Sequence, residues 1–244
     1  MTKHERSKIT VSIVSHGHGV FVQDLLADLN TYCADAIEVI LTINIPENQI
    51  PAGFDFPLKI IHNTQPKGFA ENHNTAFTFA STDYYCVLNP DIRLRENPFE
   101  RLTETLRDEQ VGVVAPLVRN PDDLVADSAR KFPTPWRLLK RFMGKNLDYK
   151  IIDSPVTVDW VAGMFMMFRS DVYSMIRGFD TAFYLYCEDI DLCERLQKQG
   201  LLVVLNPQVS VKHFARRDSR RRLRYLWWHT SSMVLFLYRH YFSR

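Results

Sequence analysis

Four carboxylates lie within seven positions of the segment YLYCEDIDLCERLQKQG, at Glu188, Asp189, Asp191 and Glu194. The segment contains no Pro or Gly before Gly200, so it is predicted to form a helix that ends at this glycine. A carboxylate that faces a cleft can act as a general base or bind a cation. The chemistry of the segment therefore depends on which carboxylates face inward.

Helical spacing separates the four carboxylates into two sets. The apolar stripe of the helix, at positions i, i+3, i+4 and i+7, consists of Asp189, Leu192, Cys193 and Leu196, and Glu188 lies at its edge. The opposite side, predicted to be a solvated face with an Asp191/Arg195 ion pair, consists of Asp191, Glu194, Arg195 and Lys198. Asp189 is thus the candidate base, although a helix N-cap or a charge placed near the positive end of the helix dipole explains its position equally well.

A second carboxylate follows the buried strand in CVLNPDI, which ends with Asn89 and Asp91. Asp91 is suited to hold Mg²⁺ or Mn²⁺ against a diphosphate, because hard cations prefer carboxylate oxygens. The sequence Asn-Pro-Asp also favours a type I turn, which is the structural alternative. His213 ends the last strand in VKHF, where a lone histidine is more often a packed or surface residue than a ligand.

An anion site is indicated in NTQPKGFAENHNTAF, where Lys67 and Gly68 precede a predicted helix. Backbone N–H groups at a helix N-terminus attract anions, and Lys67 would add positive charge. The structural alternative is that Pro-Lys-Gly simply forms a loop.

Strands that alternate with helices must position these residues, and they predict an open, mainly parallel α/β sheet with helices on both faces. The predicted strands are ITVSIVS, AIEVILTIN, LKIIHN, DYYCVLNPD, VGVVAPLV, VTVDWVAGMFMMF and LLVVLNPQVSVKHF; the predicted helices cover about 21–32, 69–80, 98–108 and the carboxylate segment, with a short one near 136–142. Ligands of such sheets bind beyond the carboxyl ends of the strands. One crevice should therefore collect the polar residues that follow the strands, which are Ser15, His16, Asn44, Asn63, Asn89 and Asp91.

Composition sets the class of protein. A chain of 244 residues with 46% hydrophobic and 24% charged residues is typical of a soluble globular protein with one sizeable core or two small ones. The four cysteines show no CxxC pair, which indicates reduced, buried thiols and a cytoplasmic protein. The N-terminal residues resemble neither a signal peptide nor a membrane span.

The charge is distributed unevenly along the chain. Residues 212–244 contain nine Lys or Arg and one Asp, a net charge of +8, so the first 211 residues carry −6 of the total of +2. The arginines of this tail, Arg216, Arg217, Arg220, Arg221, Arg222 and Arg224, precede the aromatic residues Trp227, Trp228, Phe236 and Tyr238. We therefore divide the chain into a domain at 1–215 and a basic, aromatic helix at 216–244.

Two placements of this terminal helix are open, and both hold together if one face is docked on the body while the arginine face is free. It could contact an anionic membrane surface from the cytoplasmic side, as a polybasic segment with aromatic residues does. It could instead pack on the body of the protein through Leu223, Trp227, Val234 and Tyr241, whose spacing is also typical of a core-facing stripe. The longest apolar run has six residues, Met233 to Tyr238, against the roughly 18 to 20 that a span requires. Nucleic-acid binding by the arginines is a minor alternative.

The order of the motifs carries more information than any one of them. A GFAxNxxN helix, a strand ending in LNPD, WVAGxxMxxR, GFDxxFYLYxEDxDLCxRLxxxG and a last strand ending in His together resemble the family 2 glycosyltransferases, within them the rhamnosyltransferase-like subgroup. The resemblance implies a GT-A fold, a nucleotide-diphospho-sugar donor, Mg²⁺ or Mn²⁺, and inversion at the anomeric carbon. It also implies a glycan or polyprenyl-diphosphate-linked acceptor in bacterial surface polysaccharide synthesis, with rhamnose as a candidate sugar.

The resemblance also implies site residues. Asp189 matches the base, with Glu188 beside it to bind hydroxyl groups, and Asp91 and His213 match metal-binding positions. The implied donor-binding residues are Ser15, His16, Asn44, Lys67, Gly68, Asn74, Asn89 and Asp91, and the acceptor wall is formed by Trp160 and Gly163. The first strand ends in Ser-His-Gly where many members have Thr-Tyr-Asn, and Asn44 stands roughly where an Asp usually contacts the nucleotide. The donor base and the sugar are therefore left open.

Two other functions are compatible with the same motifs. A sugar nucleotidyltransferase would need a Gly-rich loop with Lys or Arg for a triphosphate, and SHGHGVFVQDL lacks basic residues of this kind. A noncatalytic nucleotide- or glycan-binding module would use the carboxylates structurally. Donor hydrolysis with and without metal distinguishes such a module from an enzyme.

Overall fold

The computed structural model describes residues 9–47, 52–134, 137, 149, 153–214 and 223–242. The strands in this part of the chain are β1 (Ile9–Ser15), β2 (Ile37–Ile43), β3 (Leu58–His62), β4 (Tyr84–Leu88), β5 (Ile92–Arg93), β6 (Val111–Arg119), β7 (Ala129–Arg130), β8 (Val156–Thr157), β9 (Trp160–Val161), β10 (Phe165–Arg169) and β11 (Leu202–His213). The helices are α1 (Gly19–Cys33), α2 (Phe69–Phe77), α3 (Phe99–Leu106), α4 (Ser170–Met175), α5 (Glu188–Lys198) and α6 (Leu223–Phe242), with a 3₁₀ turn at Ala34–Ala36.

Nine of these strands form a mixed sheet in the order β3-β2-β1-β4-β10-β6-β11-β5, with β8 paired to β11, and β7 and β9 form a separate two-stranded sheet. Strands β3, β2, β1 and β4 are parallel, and β6 is parallel to β11. Strand β10 runs antiparallel to both of its neighbours. The mainly parallel α/β sheet predicted from the sequence is confirmed, with β10 as a reversed strand that brings its N-terminal end to the carboxyl ends of the others.

Helices cover both faces of the sheet because its strands are buried on both sides. Leu25 of α1 and Leu102 of α3 belong to one core cluster. Tyr173 of α4, Leu192 of α5 and Phe236 of α6 belong to a second cluster. The two clusters are the two faces of a doubly wound sheet. The four cysteines are free and buried, as predicted.

The segment VTVDWVAGMFMMF differs from its prediction as one strand. It is divided into β8, β9 and β10, and the interruption before β10 contains Gly163. The N–H of Gly163 donates to the Asp189 carboxylate, 2.9 Å away, so it is not available to a strand partner. The helix predicted near 136–142 lies outside the described residues, except for residue 137.

The prediction of a solvated face on the carboxylate helix is wrong, although its Asp191/Arg195 ion pair is confirmed at 2.7 Å. Asp191 and Glu194 are each only 7% exposed. The Arg195 guanidinium also donates to the carbonyls of Ile176 and Gly178, so the pair is tied to the preceding loop. These partners lie outside α5, so the periodicity of the helix could not predict them.

Helix α6 explains the burial of Glu194, whose Oε1 lies 2.5 Å from His240 Nδ1. The helix packs on the body, but Trp227, Val234 and Tyr241, the described side chains of the stripe predicted for that purpose, are exposed. Phe236, 1% exposed, is inserted into the core, whereas Trp227 and Val234 are 71% and 62% exposed. No helix in the described part of the chain is long and apolar enough to cross a membrane.

Candidate active site

Asp189 lies in the first turn of α5 and is held by two backbone N–H groups. Its Oδ2 accepts from Gly163 and its Oδ1 from Ile190, both at 2.9 Å. A Cβ atom at position 163 would lie 3.3 Å from the Phe69 ring and 3.6 Å from the Asp189 Cβ, so a glycine permits this close approach. The site therefore fixes the orientation of the Asp189 carboxylate.

Glu188 and Asp189 have raised pKa values for related reasons. Burial raises the pKa of Asp189, against the hydrogen bonds from Gly163 and Ile190 and the charge of Arg130. Burial and the charge of Asp189 raise the pKa of Glu188 well above its usual range. Glu188 Oε2 is buried without a hydrogen-bond partner in the structure. Since Asp189 receives N–H donors from two other residues and Glu188 Oε2 receives none, the geometry favours the charge on Asp189 and the proton on Glu188.

The turn before these carboxylates has an unusual backbone. Tyr186 and Cys187 have φ angles of 72° and 66°, in the left-handed region that non-glycine residues rarely adopt. Helix α6 contacts this turn: Ser232 Oγ donates to the Leu185 carbonyl at 2.9 Å, and His229 lies edge-on to Tyr186 with ring centroids 5.3 Å apart. The C-terminal helix thus supports the turn that presents Asp189.

Asp91 lies beside His213, with Oδ2 3.2 Å from Nε2. The Phe214 N–H donates to the Asp91 carbonyl at 2.9 Å, which anchors the turn to the end of β11. Burial opposes ionisation of Asp91, but the hydrogen bond and charge of His213 and the charge of His18 outweigh it and lower the pKa. Asp91 Oδ1 is buried without a hydrogen-bond partner. The turn thus presents an ionised carboxylate with one oxygen not used by the protein.

The consecutive residues Gly163 and Met164 link the Asp91 turn to Asp189. The Asn89 N–H donates to the Met164 carbonyl at 2.9 Å, and the neighbouring N–H of Gly163 binds Asp189. The reversed direction of β10 places these residues beside the carboxyl end of β4. Carboxylates almost 100 positions apart in the sequence are therefore supported by one short segment at one edge of the sheet.

Asn44 is the centre of an amide network that holds the loop before α2. Its Oδ1 accepts from the Lys67 N–H and the Asn63 side chain, both at 2.8 Å, and its Nδ2 donates to the Lys67 carbonyl at 3.0 Å. Asn63 also donates to Asn72 at 2.6 Å. Nδ2 of Asn44 further lies 3.0 Å from His16 Nδ1. Asn44 therefore positions the Lys67 loop beside the exposed His16.

Glu47 was missed by the sequence reasoning. It binds the loop after β1 through the Ser15 hydroxyl and the N–H groups of Gly17 and Gly19, the latter two at 3.1 Å. Its sequence signal was a single carboxylate after the second strand, in TINIPEN. The Ser-His-Gly loop is thus held in place by a residue from another strand end.

Two other predicted site residues make structural contacts. Both polar atoms of the Asn74 side chain bind the backbone of Phe179, at 3.0 and 2.7 Å, and Tyr173 donates to its Oδ1. Trp160 is 6% exposed, and its indole N–H donates to the Lys131 carbonyl at 3.1 Å. Asn74 and Trp160 are thus held by hydrogen bonds within the protein.

Gly68 begins α2 where the helix meets the turn before α5. The Phe69 N–H donates to the Tyr184 carbonyl at 3.0 Å, so this N-terminal donor is already used by the protein. A Cβ atom at position 68 would lie 2.6 Å from the same carbonyl oxygen. The glycine is therefore required by the close approach of two segments, and Lys67, paired with Glu71 at 2.9 Å, supplies the positive charge nearby.

We expect Gly68→Ala to destabilise the protein by about 1–3 kcal/mol, because the added methyl group displaces the Tyr184 backbone. Gly19→Ala is the matched control, since nothing lies within 4 Å of a Cβ atom at that helix start. Urea unfolding of both variants measures the difference. Equal midpoints would contradict the close approach at Gly68.

A family model and two known relatives point to the same family. The family model described as Glycosyl transferase family 2 matches residues 42–174. The chain is 30% identical to the rhamnosyltransferase WbbL of Escherichia coli, over 95% of this chain and 93% of that protein. It is also 30% identical to the N-acetylglucosaminyl-diphospho-decaprenol L-rhamnosyltransferase of Mycobacterium tuberculosis, over 64% of this chain and 55% of that protein.

Solved structures show the same fold at lower identity. GalNAc-T7 with UDP, GalNAc and Mn²⁺ matches with a TM-score of 0.66 and 14% identity, over 87% of this chain and 45% of that one. The mannosyltransferase PcManGT of Pyrobaculum calidifontis, in complex with GDP-Man and Mn²⁺, matches with a TM-score of 0.64 and 16% identity, over 93% and 64%. The sheet and its helices are thus a GT-A fold. Since the family model spans more than half of the sequence and the Escherichia coli relative nearly all of it, the chain belongs to glycosyl transferase family 2.

Proposed function

We propose that this glycosyltransferase moves a sugar, with rhamnose as the first candidate, from a nucleotide-diphospho-sugar to a lipid-linked or glycan acceptor in surface polysaccharide synthesis. The observation that supports the proposal is that two carboxylates in different environments, Asp91 and Asp189, are both tied to the segment Gly163–Met164, through the Asn89 N–H and the Gly163 N–H respectively. Asp91 has a lowered pKa, and Asp189 a raised one. Rhamnose is supported by the names of the Escherichia coli and Mycobacterium tuberculosis relatives.

Asp189 takes the proton from the attacking hydroxyl of the acceptor. Single displacement with inversion requires a base on the acceptor face and charge stabilisation on the opposite, leaving-group side. The N–H groups of Gly163 and Ile190 hold the carboxylate in one orientation, which favours a base at a fixed position. Glu188, which keeps its proton, donates a hydrogen bond to a sugar hydroxyl through a carboxyl group that has an unpartnered oxygen.

Asp91 and His213 fit a divalent cation. Asp91 Oδ1 is buried, belongs to a carboxylate with a lowered pKa, and lacks a protein partner. In the described part of the chain no group of three or more His, Cys, Asp or Glu is arranged around a metal position, so diphosphate oxygens would complete the coordination. Bound Mg²⁺ or Mn²⁺ would supply positive charge to the leaving diphosphate.

The donor nucleotide is proposed to lie between the loop after β1 and the Lys67 loop. Glu47 holds Ser15 and the Gly17 backbone, while Asn44 holds the backbone of Lys67. His16, in the first of these loops, is exposed and lies 3.0 Å from Asn44 Nδ2. Lys67, about one third exposed and paired with Glu71, contributes positive charge toward a diphosphate.

The acceptor is proposed to be attached to a polyprenyl diphosphate. The name of the Mycobacterium tuberculosis relative gives a decaprenol-linked substrate for that protein. An acceptor of this kind would place the enzyme at the cytoplasmic face of the membrane, where the basic tail meets anionic lipid.

The function is tested by a screen of nucleotide sugars with Mg²⁺ or Mn²⁺, first by donor hydrolysis and then with a short polyprenyl-diphosphate-linked N-acetylglucosamine as acceptor. The expected result is metal-dependent release of nucleoside diphosphate and one glycosylated product with inverted configuration. A noncatalytic module would bind a nucleotide sugar without consuming it. A nucleotidyltransferase would instead consume a nucleoside triphosphate with a sugar phosphate.

The raised pKa of Asp189 and the lowered pKa of Asp91 predict different pH dependences for sugar transfer and for nucleotide binding. The base must be ionised, so the raised pKa of Asp189 should move the acid limb of the turnover rate above the pH range of an ordinary aspartate. Asp91 has a lowered pKa and remains ionised there, so metal-dependent nucleotide binding should persist at pH values where transfer is already lost. Turnover and nucleotide binding measured over the same pH series check this order. Simultaneous loss of both would contradict the assigned roles.

A further inference from the structure

An exposed apolar stripe runs along α6 on the side away from the body. Trp227, Val234, Tyr238 and Tyr241 follow one another at spacings of seven, four and three residues and therefore share one face of the helix. Trp227, Val234 and Tyr238 are each more than 60% exposed, and Tyr241 is 41% exposed. This set is called the outer stripe below. It is about 20 Å long at 1.5 Å per residue.

The outer stripe is not a consequence of a loosely attached helix. The opposite side of α6 is fixed to the body by the buried Phe236, by the Arg239–Asp180 ion pair at 2.5 Å and by the Ser232 hydrogen bond to Leu185. Packing therefore fixes the rotation of the helix about its axis and directs the outer stripe away from the described body. Large aromatic side chains aligned on a fixed, exposed face mark an interaction surface.

The charges of the tail indicate the partner. Residues 226–242 contain no acidic residue, and their one Lys or Arg, Arg239, is already paired with Asp180. The preceding residues 216–224 contain six arginines and one aspartate. An apolar, aromatic helix face that follows a strongly basic stretch is complementary to an anionic lipid surface, since Trp and Tyr favour the headgroup layer and arginines are attracted to anionic headgroups.

We propose that the outer stripe docks on an anionic lipid bilayer, with α6 lying in the plane of the headgroups. The opposite face of the same helix contacts the Tyr184–Tyr186 turn that precedes Glu188 and Asp189. Docking would therefore bring the proposed catalytic turn to within about one helix diameter, roughly 10 Å, of the lipid surface. The use of this position for a lipid-linked acceptor rests on the proposed function, whereas the docking itself does not.

The experiment uses the full chain with vesicles that contain no acceptor, made of phosphatidylcholine alone or with phosphatidylglycerol. We expect the protein to cosediment with the anionic vesicles and less so as salt rises. Trp227→Ala combined with Tyr238→Ala should weaken the partition coefficient about tenfold or more, because both side chains lose their apolar contact with lipid. Phe79→Ala combined with Leu124→Ala is the matched control, because both residues are exposed hydrophobics outside α6, at 48% and 65%.

A second measurement locates the contact. Brominated lipids should quench tryptophan fluorescence in the wild type, and Trp227→Phe should remove most of that quenching while vesicle binding is kept. Thermal unfolding and donor hydrolysis of all variants should match the wild type, which excludes misfolding. Failure of the wild type to bind anionic vesicles at low salt, or wild-type binding by the double variant, would overturn the proposal.

Light scattering distinguishes lipid docking from the remaining alternative, in which a second copy of the chain covers the outer stripe. A wild-type dimer that becomes a monomer in the Trp227/Tyr238 variant, without vesicle binding by either, would also overturn lipid docking. Vesicle binding without sugar transfer would leave the docking face in place and refute the proposed function instead.

Discussion

Asp189→Asn is expected to keep the fold and donor binding while lowering turnover by about 10² to 10⁴, the usual contribution of a positioned general base. The amide has nearly the same shape, but its single oxygen can accept from only one of the Gly163 and Ile190 N–H groups, which bind separate oxygens of the carboxylate, and it cannot take the proton of the acceptor. Steady-state kinetics with the acceptor measure turnover, and calorimetry with the nucleotide measures donor binding.

Glu194→Gln is the control for this variant, because Glu194 is a buried carboxylate of the same helix that pairs with His240 and Lys198. It should affect unfolding more than turnover. Near wild-type turnover in Asp189→Asn would remove Asp189 from the mechanism, and an equal loss in Glu194→Gln would show that any charge change in α5 is sufficient.

Asp91→Asn is expected to have the second largest effect, a loss of about 10² to 10³ in turnover, comparable with the loss of one preorganised contact to a developing charge. Metal-dependent nucleotide binding should weaken in parallel, because the unpartnered Asp91 Oδ1 is the oxygen proposed to face the cation. EDTA should abolish the wild-type activity, and Mn²⁺ or Mg²⁺ should restore it. Nucleotide titrations with and without metal provide a readout that does not depend on the acceptor.

Two further variants serve as comparisons for the effect of Asp91→Asn. His213→Ala should have a smaller effect than Asp91→Asn, since His213 approaches the other carboxylate oxygen, Oδ2. Asp123→Asn, which removes an exposed carboxylate paired with Lys212 of β11, should leave metal-dependent binding unchanged. Full wild-type activity in the chelator would refute the metal assignment.

The sequence by itself determined the fold class and the positions of the candidate carboxylates. Continuous buried strands such as ITVSIVS alternate with amphipathic helices, and this local pattern predicts a doubly wound sheet with little dependence on distant contacts. The order of LNPD, the ED pair before DLC and the final histidine was sufficient to predict family 2. It also placed Asp189 on a different helix face from Asp191 and Glu194, because side-chain direction follows from helical periodicity. It wrongly predicted that Asp191 and Glu194 are exposed.

Only the tertiary structure decided what lies around those positions. Burial of Glu194 results from α6, 46 residues away, and the contact between Asp189 and Gly163 results from the reversed strand β10. Gly68 is explained by the Tyr184 carbonyl, more than 100 residues later. Periodicity shows that a helix has two faces, but it cannot show which distant segment covers each of them. For the same reason the sequence marked aromatic residues in α6, and only packing showed that Phe236 points into the core while Trp227 and Tyr238 remain exposed.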